Sequence, residues 1–397
     1  VYRRLLMLTL GTFAVGTDGF VVAGILPDVS RTLDVNTTSA GLLVTTFALT
    51  YAISSPVIAA TASHLPRKQL LIAGLVVLAL GNIATATMPT YGLVLASRVV
   101  AGLGAGMFTP TATAAAAALA PAHQRGKALA IVTAGLSSAT ALGAPIGTAI
   151  GSQTNWQTTL VFVAALAVLA ATGIAFILPA LPAAPTIGLK ERLATAMDAR
   201  IGFTLLTTLL VFTGLLTNYT FVAESFDRAT RGNGLTLAIL LFVWGTGATI
   251  GSLTAGHLAD RISTQRIIVT ALVIVAIDFT LLPLTNQHLA TAVVALFIWG
   301  ACGWAHLVPL QHRLVGVAPG HAPVTLGLNG SAIYLATAAS GLTGAAGIGL
   351  VGVHNLGPFA LIFLALGLVA SLLSAKLIAI RSGQSEVPAP AQPTPTH

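Results

Sequence analysis

The chain has 397 residues, 55% of them hydrophobic and only 7% charged, with a formal net charge of +8. A soluble domain carries about 25% charged residues, so there is too little polar surface here to coat a globule, and the solvent must be lipid. The single cysteine, Cys302, excludes an intramolecular disulfide, and no metal-ligand spacing, phosphate loop or nucleophile constellation occurs.

In chain order, apolar runs fall at 5–27, 39–62, 70–88, 92–119, 127–150, 158–178, 201–223, 234–257, 266–284, 289–310, 323–350 and 356–380. About 20 residues span a bilayer as a helix, and a helix satisfies its own backbone hydrogen bonds there. The runs are too long and too uniformly apolar for barrel strands, which alternate and need only about ten residues. The expected fold class is therefore an all-α membrane protein with twelve transmembrane helices. A first half at 1–180 and a second at 201–380 flank a linker at 181–200, and a polar, Pro-rich tail at 381–397 is expected to be disordered. The first run has no small-residue cleavage site and is read as a retained span.

With an even number of spans, both termini lie on one side. Lys and Arg then divide as 14 on that side, 3 opposite (Arg31, Arg228, Arg231) and one, Arg98, within a span. This asymmetry predicts cytoplasmic termini, and it makes the basic charge a record of topology rather than a nucleic-acid surface. The halves repeat weakly at an offset of 197: the link at Ser63-His64-Leu65 falls on Asp260-Arg261-Ile262, and LGAPIG at 142–147 falls on small residues around Ser340 to Ala345.

Asp18 sits in the middle of the first run, in a chain with only ten acids. An ionised carboxylate at mid-membrane costs about 2.5–3.5 kcal/mol on insertion scales, and such a cost points to a proton or cation site. The competing reading is a structural acid tied to a neighbouring helix. Arg98, in span four, needs acceptors within the bilayer and is placed either to bias Asp18 or to tie helices. Glu224 and Asp278 are further acids at or within spans; the first is read as part of a loop cluster with Asp227, Arg228 and Arg231, the second as structural. His306 is a candidate for a proton route because histidine titrates near neutrality. Phe20, Phe47, Tyr51, Phe108, Tyr219, Trp244, Trp304 and Tyr334 are candidate walls of an apolar cavity, and Asn218 and Asn329 are candidate orienting amides. In span five, Gly143 and Gly147 permit close helix approach, while Pro145 removes a backbone donor between them.

Four segments together resemble the drug:proton antiporters of the major facilitator superfamily, in the branch of chloramphenicol-resistance and arabinose-efflux-permease-like proteins. They are GTDGFVVAGILPDVSRTLDVNTTSAGLLVTTFALTYAISSPV (16–57), SRVVAGLGAGMF (97–108), GAPIGTAIGSQTNW (143–156) and LGLNGSAIYLATA (326–338). The resemblance implies two six-helix halves around a mid-membrane site. It also implies proton coupling at Asp18 and Arg98, and an antiporter motif at Gly143, Pro145 and Gly147. Two departures stand out. Family members often carry Glu where this chain has Gly19, so the acid is displaced by one residue, about 100° around the helix. The first-half link between spans two and three lacks the Asp of the usual Asp-Arg latch, leaving Arg67 and Lys68, whereas the second half keeps Asp260 and Arg261.

The resemblance implies proton-coupled efflux of small, mainly apolar compounds, such as amphenicols, by alternating access. The partners would be a small-molecule substrate, protons and the lipid bilayer. The location would be the bacterial inner membrane, and the carrier would be a monomer without cofactor or enzymatic activity. Alternatives on the same fold are an exporter of a sugar or nucleoside-type metabolite, a proton-coupled importer, or a transport-inactive sensor.

Overall fold

A computed structural model describes residues 2–62, 65–121, 124–181, 194–259 and 261–385. Among these residues, twelve helices are long and apolar enough to cross a membrane: Tyr2–Thr32, Thr37–Thr61, Arg67–Thr87, Tyr91–Leu119, Arg125–Gln153, Trp156–Ile177, Ala199–Thr220, Gly234–Ala259, Thr264–Thr285, Leu289–Val317, Pro319–Val351 and Val353–Arg381. They are referred to below as spans one to twelve. Each coincides with a predicted run, extended at its ends by polar residues that cap or flank the helix. Asn36 caps span two by accepting from the Ser39 N–H at 2.7 Å, and Asn155 does the same for span six through Thr158 at 2.9 Å. Such caps satisfy N–H groups that a helix cannot satisfy itself.

The helix starts repeat. Spans one and seven begin at Tyr2 and Ala199, two and eight at Thr37 and Gly234, three and nine at Arg67 and Thr264, six and twelve at Trp156 and Val353. One apolar core, containing Leu8, Phe47, Leu75 and Phe108, lies mainly in the first six spans. Another, containing Phe212, Leu240, Phe279 and Trp299, lies mainly in the last six but takes in Phe20, Ala23 and Ala144. Large apolar side chains such as Leu80, Phe176, Leu284 and Leu350 are exposed on the outer faces, as expected where the solvent is hydrocarbon rather than water.

Span five is not a uniform helix. Between Arg125–Ser138 and Ala144–Gln153 lies a π-helical turn, Ala139–Gly143. Pro145 follows it at once and has no N–H to continue the ordinary ladder, and a widened turn accommodates that loss. The turn packs against both halves. Gly143 faces Thr17 of span one, while Gly245 of span eight lies against the Thr140 carbonyl and Ala141.

The halves close on each other at the end away from the termini. The Phe221 ring, just past span seven, lies between Gly41 of span two and Gly344 of span eleven. Thr45 donates to the Ala338 carbonyl across the same seam at 3.0 Å, and Gly234 rests on Ser152. Beside Gly327 and Gly330 of span eleven, an added methyl would meet nothing within 4 Å.

Spans eight and ten approach backbone to backbone. A Cβ on Gly251 would fall 2.6 Å from the Ala301 carbonyl carbon, and one on Gly247 would fall 2.6 Å from the Phe297 oxygen. The variant Gly251→Val is expected to cost about 1–3 kcal/mol by overpacking and to lower the melting temperature of the detergent-purified protein. An unchanged melting curve would contradict this contact.

Candidate functional site

Asp18 and Arg98 meet. An Arg98 Nη1 hydrogen bond reaches Asp18 Oδ1 at 2.8 Å, with both side chains essentially inaccessible to solvent. A third residue completes the network. Asn82 of span three donates from Nδ2 to Asp18 Oδ2 at 2.8 Å, and its Oδ1 accepts from Arg98 Nη1 at 3.3 Å. The guanidinium carbon lies 4.6 Å from the centre of the Phe47 ring, a cation–π contact. Arg98 Nε and Nη2 have no hydrogen-bond partner. The network thus ties spans one, three and four inside the first half. Asp18 is not open to a cavity between the halves: the carboxylate is enclosed by its partners.

Asn82 was not singled out by sequence reasoning. Its signal was available, since it is the one polar side chain between Leu70 and Ala84 of span three.

Two residues beyond Asp18, Phe20 points the other way. Two residues rotate the direction by about 200°, so span one shows its acid to the first half and its aromatic ring to the second. Phe20 meets Tyr219 edge-on at 5.6 Å, Trp244 at 6.1 Å and Trp304 at 6.2 Å between ring centres. Tyr219 and Trp244 are 4.4 Å apart, and Phe212 and Trp299 extend the cluster. The Tyr219 hydroxyl donates to the Phe20 carbonyl at 3.2 Å. Across the same junction, Tyr51 and Tyr334 stack at 3.5 Å.

The other predicted wall residues do not join this cluster. Phe108 is buried against Gly11 in the first-half core, and Phe47 lies beneath Arg98. Asn218 donates to the Leu356 carbonyl of span twelve at 3.4 Å, and Asn329 accepts from Thr208 at 2.7 Å; both serve as ties between helices of the second half. His306 sits where span ten breaks, between Leu289–Ala305 and Leu307–Val317, 5.1 Å from the Phe212 ring. Asp278 is buried, with Oδ2 unpaired.

The predicted terminal-side gate is partly visible. Arg67 donates to the Ala114 carbonyl at 3.2 Å within the first half. Lys68 is half-buried and Arg261 exposed. Asp260 lies outside the described residues, as do Ser63 and His64.

Glu224 does not share the solvent exposure of the loop residues Asp227, Arg228 and Arg231 beside it. It sits in the short turn Val222–Ser225 that packs against span one, and both carboxylate oxygens are buried without a hydrogen-bond partner. Asp227, by contrast, is exposed and pairs with His354 at 2.8 Å. Burial pushes the Glu224 carboxyl up to about 7; its own backbone opposes the shift and the Asp227 charge adds to it. Other charged or titratable groups on the packed elements are Asp18, Asp28 and Arg31 of span one, Tyr219, Arg228 and His354. Asp18 is bound to Arg98, Asp28 to Arg31 and His354 to Asp227.

The family model described as Major Facilitator Superfamily matches residues 8–341. The chain is 30% identical to a chloramphenicol resistance protein of Streptomyces lividans over 89% of its own length and 91% of the relative. It is also 30% identical to the inner membrane transport protein YdhP of Escherichia coli K12, covering 87% of this chain and 90% of that one. Identity is 27% to the MFS-type transporter YbcL of Bacillus subtilis, over 94% and 95% respectively. Among solved structures, a bacterial homolog of the human lysosomal transporter Spinster, described as inward-facing and occupied, superposes with a TM-score of 0.73 at 16% identity. It covers 94% of this chain and 96% of that one. The chain belongs to the Major Facilitator Superfamily.

Because Glu224 holds its proton more tightly when enclosed, its linkage favours closure at the end away from the termini. That contribution is fully present below about 4.5, the solvated value, and is lost as pH rises through about 7. Spin labels at Thr154 and Leu235, in a Cys302→Ala background, should report a seam that opens progressively over that window. In Glu224→Gln the dependence should flatten; an unaltered pH profile in that variant would assign the linkage to another group.

Proposed function

We propose that this member of the Major Facilitator Superfamily exports small, mainly apolar compounds in exchange for protons, by alternating access between its two halves. The observation that carries the reading is the two-faced first span. One face holds Asp18 in the buried network with Arg98 and Asn82, and the other inserts Phe20 among second-half aromatic rings. The 30% identity to a protein named for chloramphenicol resistance supports an apolar drug as cargo. A sugar or nucleoside-type cargo is the alternative reading: Asn218 and Asn329 each make one helix tie but keep Oδ1 and Nδ2, respectively, unpaired.

The asymmetry of basic residues supports cytoplasmic termini; on that reading the end closed around Phe221 is the outer one. Asp18 and Arg98 neutralise each other here. A proton bound at Asp18 cancels the carboxylate charge and leaves the guanidinium without its counter-ion, in a medium where an uncompensated charge is costly. Span one must then shift relative to spans three and four, and Phe20 moves with it. Substrate and proton thereby act on one helix from opposite faces, and each shifts the equilibrium only by its differential affinity for the two states. A potential of 100 mV supplies about 2.3 kcal/mol per charge moved.

In sealed proteoliposomes with an internal pH-sensitive dye, an amphenicol should evoke proton movement. Asp18→Asn should reduce it by at least about tenfold. Undiminished proton movement in the variant would remove coupling from Asp18, and its absence in the native chain, alongside measurable ligand binding, would favour a sensor.

A further inference from the structure

The aromatic cluster between the halves holds three side-chain nitrogens that nothing satisfies. Trp244 Nε1 and both ring nitrogens of His306 are buried without a hydrogen-bond partner. The Gly303 backbone acts on the imidazole without completing a bond of ordinary geometry. Among the cluster's other polar side-chain atoms, the Tyr219 hydroxyl donates to the Phe20 carbonyl. Unmade hydrogen bonds of this kind are rare in native interiors and call for a reason.

The break in span ten supplies their placement. Pro309 lacks the N–H that the Ala305 carbonyl would accept, and the helix ends at Ala305 and restarts at Leu307. That break leaves His306 beside Phe212, which also meets Trp304 at 5.5 Å between ring centres. Trp304 lies 6.3 Å from Trp244. The unpaired nitrogens therefore border one continuous aromatic group rather than separate cores.

Phe20 is the first-half ring in this group. It contacts Tyr219, Trp244 and Trp304, yet a phenyl ring offers neither an acceptor to Trp244 nor a donor or acceptor to His306. None of Phe20, Phe212, Tyr219, Trp244, Trp299 and Trp304 carries a formal charge, and Asp18 is bound to Arg98 and Asn82. An anion entering here would leave water without a counter-ion, at high cost, and a cation, though ring faces attract it, would leave the Trp244 N–H without an acceptor.

We propose that Phe20 holds the place of a substrate's aromatic ring, and that the substrates are neutral aryl compounds whose amide or hydroxyl groups engage Trp244 and His306. The inference deepens the export reading by naming the substrate class at the same junction. A ligand ring enters by displacing Phe20 from the second-half rings. The Trp244 N–H meets a ligand oxygen, and a neutral imidazole, with one N–H and one bare nitrogen, meets a hydroxyl or amide. Because Phe20 is two residues from Asp18, its displacement acts on the span that carries the acid network.

The test is calorimetric binding to the full chain in detergent. The three probes are chloramphenicol (a neutral nitroaryl amide), an aryl hydrocarbon of similar size and an aryl trimethylammonium. The amide should bind most tightly. Trp244→Phe, which keeps a ring and removes the N–H, should weaken the amide about tenfold and leave the hydrocarbon unchanged. His306→Leu should act likewise, whereas His306→Gln, which keeps a donor and an acceptor, should retain affinity. Phe20→Ala should bind the amide more tightly, since the competing ring is gone. Weaker amide binding in Phe20→Ala, equal loss for amide and hydrocarbon in Trp244→Phe, or preference for the cation would each overturn the proposal. Binding is read without a membrane gradient, so the two readings fail separately. Selective amide binding without proton exchange in vesicles would sink the export reading alone. Proton exchange driven by other compounds, without amide selectivity, would sink this one alone.

Discussion

A full charge in a hydrocarbon core is tolerable only where its partners are already in place, and that constraint organises the first half. Asp18, Arg98 and Asn82 come from three different spans, with the shortest contacts at 2.8 Å. None of the three is at ease alone. The carboxylate needs the guanidinium, the guanidinium needs an anion, and the amide bridges them by donating to one and accepting from the other. Spans one, three and four are thereby held in a fixed register at the depth of Asp18. The compensation is incomplete, since Arg98 Nε and Nη2 remain unpaired. A network with unused donors has somewhere else to go when its anion is neutralised, which is the property a switching element requires.

Around this anchor, the contacts between halves are of a kind that slides or separates rather than interlocks. Glycines occupy the seam: Gly41 and Gly344 flank Phe221, and Gly245 receives the backbone of the π turn in span five. Close backbone approach gains dispersion without committing side chains, and it lets two helices part without breaking ion pairs. The π turn places a weak point in the helical ladder where span five touches both span one and span eight. Gly143, Pro145 and Gly147 lie at or just after that turn, with Gly143 against Thr17 and Gly147 against Val21 of span one.

The spans were legible in the sequence because bilayer thickness leaves little freedom: a run of about 20 apolar residues has one economical conformation. Asp18 and Arg98 were legible for the same reason, as costly residues that had to meet something. What the sequence did not reveal was direction. Phe108 and Phe20 are both aromatic residues in apolar helices, yet one fills the first-half core and the other crosses to the second. Helical phase decides between them, and in a span with lipid on one side and protein on the others, hydrophobicity carries little phase information. Asn82 was missed because a single amide in an aliphatic run can be satisfied by its own helix, as it partly is through its bond to the Leu78 carbonyl. Glu224 misled in the opposite sense. Its neighbours Asp227, Arg228 and Arg231 suggest water, but the turn Val222–Ser225 folds inward and encloses the carboxylate while those neighbours stay exposed.

The two poles of the site also differ in what kind of change they respond to. In the proposed export cycle the acid network is the pole that answers to charge, since its contacts are ionic. The aromatic cluster responds to shape and to unmade hydrogen bonds, because its members are neutral and closely spaced. Span one is the element common to both, and Tyr219 fastens to it through the Phe20 carbonyl, so the second half holds the backbone of the helix as well as its side chain. A helix is stiff over two residues. Asp18 and Phe20 therefore cannot move independently, and a displacement favoured at one pole is felt at the other without any longer chain of contacts between them.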